Sequence, residues 1–170
     1  MKDMTAEKLK SLLNLTPLSI EGGYFSETYR STETISQEAL PGRHSGARTF
    51  GTCIYYLLEP GTFSELHRVA SDEIFHFYLG DPVEMLQLWP DGSARRIVIG
   101  TDIEAGMVPQ VVVPHGVWQG ARLVAGGRFA LLGCTVSPGF EYADYESGSR
   151  QLLSDAYPEH RDMICGLTRG

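Results

Sequence analysis

Apolar positions follow two regimes along the chain. Near the start, TAEKLKSLLNL places Leu9, Leu12 and Leu13 at the three-to-four-residue spacing of one helical face. Thr5 offers a side-chain oxygen to the first free N–H groups, and Glu7 adds negative charge in the first turn. Pro17 is expected to close the helix. From about residue 20 the pattern becomes short runs of Tyr, Phe, Val, Ile and Leu cut by Gly, Pro and Asp. The clearest runs are GYFSETYRS, TCIYYLL, EIFHFYLG, VEMLQLWP, ARRIVIG, PQVVVP, GVWQGARLV and RFALLGCTV.

The punctuation between runs has a mechanism. In Pro90-Asp91-Gly92 the proline presets φ and the glycine accepts a positive one, so VEMLQLW and SARRIVIG are expected to form a hairpin. Gly126-Gly127 is expected to do the same between ARLV and RFALL. Strands at this spacing predict a sandwich or barrel. Residues 32–50 are polar and contain Gly and Pro, as a long loop would. After Pro138 the chain turns polar, and SRQLLSDAYPEHRDMI is expected to add one or two short helical turns. No repeat or linker interrupts the pattern, so residues 1–170 are expected to form one domain with a barrel core at about 20–140.

Composition narrows the function classes. With 170 residues, 42% hydrophobic and 21% charged, the chain can bury a core and is not disordered by composition. A net charge of -7 argues against nucleic acid as a partner, and the Arg95-Arg96 pair is too isolated to reverse that locally. No stretch is apolar for long enough to cross a bilayer, so no membrane partner is expected. MKDMTAEKLK lacks the apolar core of a signal peptide. Cys53, Cys134 and Cys165 form no CxxC, and the first two sit in apolar runs as small hydrophobes. Reduced thiols and a cytoplasmic location are expected.

The chemistry concentrates in GTFSELHRVASDEIFHFYLG, residues 61–80. Its frame of Gly61, His67, Val69, Glu73 and Gly80 resembles the first motif of the cupin superfamily. GMVPQVVVPHGVWQ resembles the second, with Pro114 and Gly116 at a turn and Gln119 where a third histidine would stand. From about residue 8 to 160 the chain is similar to a subfamily of small single-domain cupins of uncharacterised function. EGGYFSETYRS, ELHRVASDEIFHFYLGDPVEMLQL, VVVPHGVWQGARL and GCTVSPGFEYADYE carry that similarity. The resemblance implies an all-β double-stranded β-helix, the jelly-roll cupin barrel, with an N-terminal α-helix. It also implies a homodimer and a small-molecule ligand in the barrel. The four metal-binding positions of such barrels read His67, Val69, Glu73 and Gln119 here. Two of them are lost as good ligands, so no cofactor is expected. A divalent metal would be held weakly at most, by His67, Glu73 and Gln119.

Without a metal, His67 and Glu73 are candidate catalytic groups for proton transfer next to a carbonyl. The alternative is a polar pair that satisfies itself in a ligand cavity. Strand alternation puts Glu73 on one face with Phe75, Phe77 and Leu79, against aromatic surface that raises a carboxyl pKa. His76 then points the other way with Ile74 and Tyr78. Gln119 can both donate to and accept from a ligand, which leaves Trp118 for the intersheet core or a dimer contact. Tyr24, Ser26, Thr28 and Arg30 share a face in the same alternation, and Arg30 could meet an anionic group or lie exposed. Tyr24, Arg30, Phe75, Phe77 and Gln119 are therefore candidate ligand contacts. His115 is expected at the cavity rim or in solvent, and His44 and His160 at the surface. Related barrels suggest a sugar, nucleotide-sugar or similar carbonyl compound, handled by a metal-independent isomerase or epimerase. A non-catalytic binding protein is the alternative, and a metal-dependent oxygenase is disfavoured by Val69 and Gln119.

Overall fold

A computed structural model describes residues 4–169; the first three residues of MKDMTAEKLK and Gly170 lie outside the described residues. The chain runs α1 (Ala6–Leu12), β1 (Thr16–Pro17), β2 (Tyr24–Arg30), β3 (Thr34–Ile35), β4 (Arg48–Thr49), β5 (Thr52–Leu58) and β6 (Phe63–Arg68). It continues through β7 (Asp72–Gly80), β8 (Val83–Leu88), β9 (Ala94–Ile99), β10 (Gln110–Val113), β11 (Trp118–Leu123), β12 (Ala130–Ser137) and β13 (Glu146–Ser147). Two helices, α2 (Arg150–Ala156) and α3 (Arg161–Gly166), end it.

The strands make two facing antiparallel sheets, the double-sheet jelly roll. One has the order β1-β2-β5-β12-β7-β10 and the other β13-β6-β11-β8-β9. Between them lies the main core, including Tyr56, Phe75, Met85, Ile99, Ala121 and Leu132. Each sheet also buries part of its outer face. α1 lays Leu9 on Leu57 and Leu131 of the six-stranded sheet and on Phe129 just before β12. Leu153, Met163 and Ile164 from the C-terminal helices, with Leu167 just after α3, cover Leu66, Leu86 and Leu88 of the other. Burial on both faces explains why VEMLQL is apolar at four of its six positions, with Val83 and Met85 in the main core and Leu86 and Leu88 under the helices.

Local chemistry matches the sequence at several elements. Thr5 Oγ1 accepts from the Lys8 N–H at 3.2 Å, capping α1 as expected. That helix stops before Pro17, however: Asn14 takes a left-handed φ of 52° and Leu15 N–H bonds back to the Lys10 carbonyl, while Pro17 lies in β1. The Pro90-Asp91-Gly92 turn does join β8 to β9 as a hairpin, with Gly92 at φ 86°. The Gly126-Gly127 turn exists too, but it carries the chain from β11 in one sheet to β12 in the other. The 32–50 loop holds a small two-stranded β3–β4 sheet, and the expected late helical turns are two helices that close a core cluster.

His44 is a correction to the surface assignment. It is buried, with Nδ1 3.7 Å from Asp144 Oδ2, while Arg48 donates two N–H groups to the same carboxylate. The polar loop therefore has an ionic core of its own.

Candidate functional site

Three inward side chains meet between the sheets. β6 and β11 are neighbours in the five-stranded sheet and place His67 opposite Gln119, while β7 in the other sheet presents Glu73 across the gap. All three are almost completely removed from solvent. His67 Nδ1 lies 2.6 Å from the Glu65 carbonyl oxygen, which can only accept, so Nδ1 carries the proton. Nε2 then accepts from the Gln119 amide at 2.9 Å, and the same amide nitrogen donates to Glu73 Oε2 at 3.2 Å. Gln119 thus bridges the two sheets, and its Oε1 is buried without a partner.

A fourth group, Glu21, was not singled out from the sequence. Its Oε1 accepts from Ser64 Oγ at 2.5 Å, and its Oε2 lies 3.9 Å from His67 Nε2. The backbone explains how it gets there. Gly22, at φ 107°, passes so close to β6 that an added Cβ would sit 2.2 Å from the Phe63 carbonyl oxygen. A glycine after the glutamate is what allows this approach, and the Gly22-Gly23 pair was the available signal. Tyr145 stacks on the His67 ring at 4.7 Å between centroids and roofs the cluster.

Glu73 is the group with altered acidity. Burial pushes its carboxyl up to about 7, opposed by the nearby His67 and the Gln119 hydrogen bond and assisted by repulsion from Glu21. Its second oxygen, Oε1, meets only the Cys134 thiol, at 3.9 Å. Burial and the same carboxylates raise the Cys134 thiol well above its usual value, so it is a protonated, non-nucleophilic thiol.

Glu73 and Glu21 line a cavity that encloses about 680 Å³ of space between atoms, counting the solvent in its opening. Its wall is mainly apolar, with Ile54, Phe25, Phe75, Val136 and Phe140. Arg30, Glu27 and Tyr142 form its more exposed part. His67 and Gln119 are absent from the wall; they stand behind Glu73.

The other expected positions divide accordingly. Phe75 and Arg30 line the cavity, but Arg30 is already held by Glu27 and Glu141, each with an oxygen 2.9 Å from a guanidinium nitrogen. Tyr24 does not line it: it packs outward beside α1, with the Lys10 ammonium over its ring. The expected shared face of Tyr24, Ser26, Thr28 and Arg30 is broken by a register shift between Glu27 and Tyr29, which turns Arg30 inward with Phe25 and Glu27. Phe77 packs against the main core outside the cavity wall. Leu79 leaves the face of Glu73 altogether, because Tyr78 is unpaired between the Leu79–Leu131 and Phe77–Leu132 partners. Leu79 ends beside α1. His76 faces outward as expected, near Thr135 and Gln110. Trp118 is neither in the intersheet core nor free: it packs on the cluster under α2 and α3, with Arg68 over its ring.

A resident metal does not fit these side chains. The two carboxylate oxygens lie 3.9 and 4.0 Å from His67 Nε2, wider than the ~3.4 Å edge of a tetrahedron with bonds near 2.1 Å. That nitrogen is also occupied by the Gln119 amide. Val69, at the second histidine position, contributes only its carbonyl, which accepts from Gly116 N–H. Among the described residues no group of three His, Cys, Asp or Glu side chains is placed to hold a metal ion.

Comparison with known proteins agrees with the fold. Residues 7–148 match the family model described as "Cupin superfamily (DUF985)". An uncharacterized protein of Saccharomyces cerevisiae is 34% identical over 134 residues, which cover 74% of this chain and 66% of the yeast protein. A hypothetical protein from Leishmania major superposes with a TM-score of 0.87 at 32% identity, over 98% of this chain and 100% of that one. A cupin 2 domain-containing protein from Halorhodospira halophila shares the fold alone, with a TM-score of 0.52 and 13% identity over 88% of this chain and 84% of that one. No helix among the described residues is long and apolar enough to cross a membrane.

Proposed function

This chain belongs to the cupin superfamily, in the family designated DUF985, and from that premise we propose that it binds a small molecule in the intersheet cavity, with Glu73 as the group that meets the ligand. The observation that carries this reading is a deeply buried carboxyl forming part of the wall of a mainly apolar cavity. A soluble ligand with an apolar body and one polar end suits such walls. A sugar with many hydroxyls would leave most of them facing Phe25, Phe75 and Phe140 unpaired.

The carboxyl held at about 7 favours a second, catalytic reading. A group that exchanges its proton near neutral pH is suited to general acid-base work, and an isomerase or epimerase needs one. In that case Glu73 is the catalytic residue. His67 is a positioning residue behind it, because its Nδ1 is spent on the Glu65 carbonyl and its Nε2 on Gln119.

Methyl-labelled protein titrated with a metabolite library tests binding. Shifts concentrated on Leu18, Ile20, Ile54 and Val136 support the cavity; shifts elsewhere, with these four unmoved, contradict it. For any ligand found, Glu73→Gln separates the two readings. Retained binding with lost turnover supports proton transfer by Glu73. Binding with no product in the wild type sinks the catalytic reading.

A further inference from the structure

The charges around the cavity identify a class of ligand, an inference that rests on the binding role proposed above. Glu21 and Glu73 both line the cavity, and each has an oxygen within 4.0 Å of the same His67 nitrogen, so those oxygens are at most 7.9 Å apart. Among the described residues no lysine or arginine pairs with Glu73, and Glu21 is held by the hydroxyl of Ser64. Glu73 is only 5% exposed, yet its Oε1 has no nitrogen or oxygen donor among the described residues. Once the carboxyl is ionised, a buried oxygen left in that state calls for a donor supplied from the cavity.

The single arginine on the wall does not fill this gap. Arg30 is bound to Glu27 and Glu141 in the more exposed part, so that part adds no net positive charge. The remaining wall includes Phe25, Phe75 and Phe140, and an aromatic ring that turns its face to a ligand attracts cations. An anionic ligand would meet two carboxyl groups, with the one arginine of the wall already paired to Glu27 and Glu141. A neutral ligand would leave Glu73 without a charged partner.

We propose that the cavity recognises an organic ammonium ion, a primary or secondary amine on a compact apolar body, with its N–H groups on Glu73 and Glu21. The amine end reaches the carboxylates, and the apolar body fills the space between Phe75, Phe140 and Ile54. A cation placed there favours the ionised form of Glu73. Binding below pH 7 therefore expels the Glu73 proton to buffer, and affinity rises with pH until that carboxyl is ionised in the free protein. The other titratable groups facing Glu73 are Glu21, His67 and Cys134, with Tyr56 and Tyr145 beside Glu21. The thiol and both phenols are pushed upward by burial and stay protonated through this range.

Benzylamine, benzyl alcohol and benzoate share one body and differ in charge, so they test the inference by calorimetry and methyl shifts. Benzylammonium is expected to bind at least tenfold more tightly than benzyl alcohol, and benzoate not measurably. Calorimetry at pH 6 in buffers of different ionisation enthalpy is expected to show about one proton released per bound amine. Glu73→Gln should abolish that release, and Glu21→Gln should weaken the amine while leaving the alcohol unchanged. Equal or tighter binding of the alcohol or benzoate, with shifts on the cavity methyls, overturns the ammonium inference but leaves a small-molecule cavity. Amine binding in wild-type protein without proton release overturns the contact with Glu73. No shift of the cavity methyls with any of the three overturns both readings.

Discussion

Replacing Glu73 by glutamine should make folding stability less sensitive to pH, by an amount that the burial of Glu73 sets. Its carboxyl moves from an ordinary 4.5 in the unfolded chain to about 7 in the fold. Each tenfold change in proton affinity is worth about 1.4 kcal/mol, so ionising this buried group costs about 3 kcal/mol in full. The sign follows from proton counting. Between 4.5 and 7 the folded protein holds a proton that the unfolded chain has lost. Stability from this group is therefore complete below 4.5 and falls as pH rises through 7. At pH 5 the cost is still below about 1 kcal/mol, and by pH 8 it has reached about 3. Glutamine has the same shape, can still accept from the Gln119 amide, and does not titrate. Urea denaturation of both proteins at pH 5, 6, 7 and 8 cancels every other titrating group to first order. The stability of Glu73→Gln relative to wild type should rise by about 2.5 kcal/mol over that span. A constant offset across the four pH values would refute the assignment of Glu73 as a buried acid.

Three other substitutions test how the site is built. Gly22→Ala puts a Cβ against the Phe63 carbonyl at a positive φ, so it should cost more than about 2 kcal/mol in urea denaturation. It should also disturb the Glu21 contacts. Arg48→Ala strips the buried Asp144 carboxylate of its two donors and should cost about 3 kcal/mol, a loss that an exposed ion pair would not show. Ile164→Ala opens a void under α3 and should cost about 3 kcal/mol in the same assay. A cost near zero would mean that the C-terminal helices are appended to the barrel and not part of its core.

The strands with strong apolar alternation were legible in the sequence, as were the helix cap at Thr5 and the turn at Pro90-Asp91-Gly92. β6 was not, although it carries His67. FSELHR has few apolar residues, because its inner side serves the polar cluster while Phe63 and Leu66 pack outward under the C-terminal helices. Alternation predicted the facing of Glu73, Phe75 and His76 correctly, then failed where bulges intervene. The shifts near Thr28 and at Tyr78 are marked by no glycine or proline, so period-two counting carried Tyr24 and Leu79 to the wrong face. The His67–Glu73–Gln119 grouping was legible through motif spacing. Glu21 was not, since its approach depends on tertiary contact between Gly22 and β6. His44 was assigned to the surface from its polar neighbours, yet those neighbours fold over an ionic core.

The crystal structure of a complex bears most directly on the central claim, that ligand meets Glu73 inside the barrel. A second candidate, an open groove lined by Arg43, Arg68 and His115, offers the ligand an alternative outside it. Crystals grown with a ligand found by titration should show its polar end about 3 Å from a Glu73 or Glu21 oxygen. Its apolar part should lie between Phe75 and Phe140. Ligand density confined to the Arg43–His115 groove, with the intersheet cavity unchanged, would contradict the account.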